Sequence, residues 1–156
     1  EHTFLASLAG HYAGTTHTFF EPDAPATQSE DTLYVESILG GRFVRMQWFG
    51  SLSDKPRQGE LLLGYHVDAG EHELTWVDTF HTGSAMLHFA GKPDGDSVQV
   101  RGSYQAGDQR WGWTFRFTKQ GDVLQMRCLN ISPQGEEYRA VETDFRVAYP
   151  GALANG

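Results

Sequence analysis

Asp78 is the residue whose setting most invites chemistry. In HELTWVDTF (72–80) it shares an alternation with Leu74, Trp76 and Phe80, so an extended chain makes it one carboxylate in an apolar row. A carboxylate stripped of hydration holds its proton more tightly, and such a group can act as acid, base or ligand anchor. Glu142 would complete an acid/base couple if it faced the same interior, with Tyr12 or His88 polarising a substrate. His66 and Asp68 share a strand face, and Asp78 and His81 lie three apart. Metal sites converge three or four ligands, and neither an HxH pair nor an HExxH motif accompanies these residues, so no metal is expected. His2, His11, His17 and His72 read as solvated. Cys128 has no basic residue placed by the sequence to activate it and reads as a small buried hydrophobe. The serines lack a GxSxG elbow, and no phosphate-cradling glycine loop is present.

The elements that must hold these residues are strands. Apolar positions nowhere recur at helical spacing for three turns, whereas alternation is nearly continuous. LAGHYAGTTHTFF opens a first extended segment over about 8–20, and a second covers about 28–39. Further segments follow at 42–49, 60–67, 72–80, 84–90, 97–104, 110–118, 123–131 and 137–147. Their separators, such as KPDGD, QAGD, KQGD and SPQG, are hairpin-turn sequences in which glycine supplies positive φ. About ten strands joined by short loops, with no crossover helix, cannot form a parallel sheet. Closure removes exposed edges, so the expected fold is all-β: one antiparallel up-and-down β-barrel over residues 1–156, with its core at about 8–147 and a short tail at 148–156.

Bulk properties narrow the partners. A chain of 156 residues, 39% hydrophobic and 13% aromatic, can bury a full core without staples. Its net charge of −8 repels phosphate backbones and anionic lipid, so neither nucleic acid nor membrane is an expected partner. A single cysteine cannot form an internal disulfide, which points to a reducing compartment and a cytoplasmic location.

Barrel parity sorts the side chains. The uncharged face of 42–49 is Val44, Met46 and Trp48. On 110–118, Trp111, Trp113, Phe115 and Phe117 share one face, and on 123–131 the row is Leu124, Met126, Cys128 and Asn130. Strand 84–90 leaves two faces open, Met86 with His88 or Leu87 with Phe89. Strand 137–147 does the same, with Ala140, Glu142 and Asp144 against Val141, Thr143, Phe145 and Val147. The expected lumen is aromatic and Met-rich with sparse polar groups, the usual make-up of a small-molecule site.

LAGHYAG, ILGGRFV (38–44), GELLLGYHVDAGEHELTWVDTFHTG (59–83) and YRAVETDFRV together resemble a bacterial calycin-like family, domain of unknown function 1579. Two positions depart from its pattern: Tyr12 stands where Trp is usual, and His66 where an acid is common. The resemblance implies a lipocalin- or nitrobindin-like barrel with an internal cavity, and no particular activity. Nitrobindins bind haem through a histidine on the last strand. The matching position here is Ala140, and no histidine follows His88, so haem is disfavoured and no cofactor is expected.

The leading expectation is therefore a non-enzymatic barrel that binds a small, mostly apolar or aromatic molecule. Its expected contact residues are Tyr12, Met46, Trp48, Trp76, Asp78, Met86, His88, Trp113, Met126, Asn130 and Glu142. The alternative is an acid/base enzyme, an isomerase, cyclase or decarboxylase, with Asp78 as base. A homodimer is compatible with either.

Overall fold

The computed structural model describes residues 1–148. A short helix, α1 (His2–Ser7), leads into ten strands: β1 (Gly10–Thr18), β2 (Thr27–Ile38), β3 (Phe43–Leu52), β4 (Lys55–His66), β5 (Glu71–Asp78), β6 (Leu87–Gly91), β7 (Ser97–Ala106), β8 (Gln109–Gln120), β9 (Val123–Ile131) and β10 (Glu137–Val147). Each strand pairs antiparallel with its sequence neighbours, and β10 returns to β1 to close the barrel. The up-and-down topology follows from the short loops, which can join only adjacent antiparallel strands. Glycines at positive φ (Gly70, Gly95, Gly107, Gly121 and Gly135) sit in those connections. No helix among the described residues is long and apolar enough to cross a membrane.

Alternation decides the interior. Val44, Met46 and Trp48 of β3, Leu74 and Trp76 of β5, Phe115 and Phe117 of β8 and Leu124 and Cys128 of β9 are all buried. His11 is exposed while Tyr12 beside it is buried. Gly14 has a steric reason: a Cβ there would lie 2.5 Å from the backbone oxygen of Asp144, where β10 closes against β1.

One end of the barrel is plugged. Leu5 of α1 and Leu8 are wholly buried, and the Tyr12 hydroxyl donates to the Leu8 carbonyl (2.8 Å) and accepts from Lys119 Nζ (3.0 Å). HTFLAS is too short to display a helical period, which is why no helix was expected there. His72, expected to be solvated, is fully buried at this end with Nε2 3.2 Å from a Glu1 carboxylate oxygen. It has the inward parity of Leu74 and Trp76.

Departures from strict alternation correct three further expectations. A bulge between Arg139 and Val141 turns both Ala140 and Val141 inward, after which Thr143 and Phe145 continue the buried row. Glu142 therefore points outward, toward Arg139. On β6 the inward residues are Leu87 and Phe89. His88 is exposed and bonds Thr75 on the neighbouring strand (3.1 Å), and Met86 precedes the strand, 63% exposed. Phe80 lies past the end of β5 and is 51% exposed, because the chain leaves the sheet at Asp78. Of the expected tail, residues 149–156 lie outside the described residues.

Candidate functional site

The end of the lumen opposite α1 gathers the polar and aromatic side chains. Asp78 ends β5 with its side chain only 1% exposed. Its Oδ1 accepts the backbone N–H groups of Phe80 (3.1 Å), His81 (2.5 Å) and Thr82 (2.8 Å), and its Oδ2 lies 2.9 Å from His81 Nδ1. Burial alone would raise its pKa. The His81 hydrogen bond and the Thr82 and Phe80 amides outweigh burial, and the net direction is downward. Asp78 is thus a firm carboxylate that pins the turn after β5, and the expected raised-pKa acid is not what the geometry makes. An ionised carboxylate only accepts, so His81 Nδ1 is the donor in this contact, as in carboxylate-oriented histidines generally.

His81 sits among rings: 4.8 Å from Phe80 and 5.3 Å from both Trp76 and Trp113, centroid to centroid. Trp76 in turn lies 5.2 Å from Trp113, 6.5 Å from Trp48 and 5.0 Å, edge-on, from Phe115. Trp48, Trp76, Trp113, Phe115 and His81, with Arg57, Met126 and Cys128, line a cavity of about 20 Å³. That is room for about one water-sized group.

Arg57 of β4 is a charge inside the barrel, paired with Asp31 of β2 (Nη2 to Oδ2 3.1 Å). Thr16 and Ser29 hydroxyls donate to the same carboxylate at 2.8 and 2.6 Å. Neither Arg57 nor Asp31 was among the expected site residues, although Arg57 shares the parity of Leu61 and Leu63. Three N–H groups around the cavity, Arg57 Nε, Trp76 Nε1 and Trp113 Nε1, are buried without a hydrogen-bond partner in the protein. Burial pushes the Cys128 thiol well up, which leaves it protonated and inert.

A family model described as "Protein of unknown function (DUF1579)" matches residues 1–146. The chain belongs to the DUF1579 family. Its structure is similar to the crystal structure of Rv2717c from M. tuberculosis, with a TM-score of 0.66 over 94% of this chain and 96% of that one. Sequence identity is 15%, so this likeness speaks to the fold alone. None of the curated proteins matches in sequence.

Within this DUF1579 barrel the expected contact residues divide three ways. Trp48, Trp76, Asp78, Trp113 and Met126 come together around the cavity. Tyr12 and Met46 are buried away from it in the core, and Asn130 is half-buried, accepting the Tyr104 hydroxyl at 2.7 Å. Met86, His88 and Glu142 face outward, as described above. Ala140, the position expected to match the nitrobindin haem ligand, is buried at the bulge. Among the described residues no three His, Cys, Asp or Glu side chains converge in a metal-like group. A wider concavity of about 680 Å³ lies across β3 to β7, bordered by Phe43, Leu62, Thr75, His88 and Arg101. Its lining mixes the buried Leu74 and Phe89 with outward side chains and includes no buried polar group, so the small interior cavity is the better candidate.

Proposed function

We propose that this DUF1579 barrel is a small-molecule binding protein whose site is the aromatic end of the lumen. The observation that carries the reading is the ring wall: Trp48, Trp76, Trp113 and Phe115 line the small cavity at the end that α1 does not plug. Rings so arranged favour a flat, largely apolar guest. Entry requires movement of residues 79–86, where Phe80 meets Phe20 edge-to-face at 6.4 Å with both rings half exposed. Displacing Phe80 and the His81 ring extends the cavity toward solvent without breaking the sheet. The single cysteine and the charge of −8 support a cytoplasmic protein that avoids nucleic acid and anionic membranes.

Tryptophan fluorescence and thermal shift against a panel of small aromatic compounds test this directly. The expected result is quenching together with a raised Tm, both weakened in Trp76→Leu. Silence in both measurements across the whole panel would sink the proposal.

A second reading is enzymatic, and the Asp78–His81 pair is what favours it. With Nδ1 held by the carboxylate, His81 Nε2 is a positioned base. Slow conversion of a bound compound, lost in His81→Gln while binding persists, would establish it. Bound compounds recovered unchanged would leave binding as the function.

A further inference from the structure

We infer that the guest of this cavity carries a neutral carbonyl oxygen, which the N–H groups of Trp76, Trp113 and Arg57 receive. The inference rests on the binding role proposed above and names the class of ligand. Trp76 is 3% exposed, and Trp113 and Arg57 are each 5% exposed. All three border one cavity and none of the three N–H groups is partnered. A buried donor left unpaired costs about 1–3 kcal/mol, and native interiors leave few of them. Three around one small space form a receptor for an acceptor atom.

The protein supplies no such atom. Asp78 Oδ1 already receives three amides and Oδ2 faces His81. The Asp31 carboxylate is taken by Thr16, Ser29 and the other arm of Arg57. The Trp113 indole N–H has only the Cys128 thiol beside it, a weak acceptor that leaves this donor short of a full partner. The volume of about 20 Å³ fits one oxygen-sized group, with the body of the guest lying in the space that movement of the 79–86 loop opens.

Charge chooses between the oxygen acceptors. Arg57 is already balanced by Asp31, and Asp78 adds an ionised carboxylate to the same wall. A carboxylate guest would bring a further negative charge beside Asp78, whereas an amide or ketone oxygen takes the N–H groups without it.

The test compares three probes of similar shape, benzamide, benzoate and toluene, by titration followed on the indole N–H resonances of ¹⁵N-labelled protein. Benzamide is expected to bind about tenfold or more tightly than toluene and to shift two indole N–H signals downfield, those of Trp76 and Trp113. In Trp76→Phe/Trp113→Phe, which keeps rings but not donors, the preference collapses toward unity. A thermal melt confirms that the variant folds. Equal binding of toluene and benzamide, or benzoate binding more tightly than benzamide, would overturn the inference while leaving the binding role standing. No binding by any of the three overturns both.

Discussion

Arg57→Met is the substitution that probes the polar interior most sharply. The Arg57 and Asp31 side chains are 4% and 2% exposed, and they meet at 3.1 Å. Removing the guanidinium leaves Asp31 with two hydroxyl donors, Thr16 and Ser29, but with no counter-charge. The carboxylate also lies against Gly50, where any Cβ would collide with it, so little space exists for water to enter in compensation. Breaking a buried pair from one side costs about 3–5 kcal/mol. In a chain of this length each kcal/mol lowers Tm by roughly 2–4 °C, so the variant should melt about 6–20 °C below the parent. Asp31→Asn added to Arg57→Met removes the stranded charge and keeps an oxygen for the hydroxyls. The double variant should therefore regain stability, with a coupling energy of about 2 kcal/mol or more. Urea unfolding of the four proteins, followed by tryptophan fluorescence, closes the cycle. Additive effects, or a loss below about 1 kcal/mol for Arg57→Met, would refute the claim that the pair is desolvated and mutually dependent.

Two further predictions concern the closed end and the seam. Burial lowers the His72 pKa below its ordinary 6.5, with Glu1 opposing the shift in part. The unfolded chain therefore takes up a proton that the folded chain resists, so the stability present above about pH 6.5 declines as pH falls below it, and that decline should shrink in His72→Leu measured by urea midpoints. Gly14→Ala forces a Cβ to within 2.5 Å of the Asp144 oxygen across the β1–β10 seam, and should cost about 1–3 kcal/mol in thermal unfolding. An unchanged Tm would mean the seam gives way easily.

The barrel was legible because its information is periodic. On β3, β8 and β9 the alternation of apolar residues names the inward face, and ten such segments with hairpin turns leave few topologies. What escaped was whatever breaks the period. The bulge on β10 makes both candidate faces partly right, with Ala140 and Phe145 buried in one strand. The short β6 carries too few residues to reveal which parity is inward. The six-residue α1 completes less than two turns.

Buried charge escaped for a different reason. Asp31 and Arg57 are 26 positions apart, and alternation read along either strand alone treats a charge as a mark of the solvated face. Each is stable inside only because the other is there, a fact that belongs to two strands and to neither sequence segment. Asp78 shows the same limit from the other side. Its inward placement could be read from β5, but the sign of its pKa shift could not, since the His81 hydrogen bond and the amides of the turn it organises reverse the effect of burial. Polar groups that find partners inside a barrel hold its geometry in place; those left over state what the interior still needs. The tryptophans at 76 and 113 were legible as apolar wall. Only the geometry separates their ring faces, which pack, from their N–H groups, which do not.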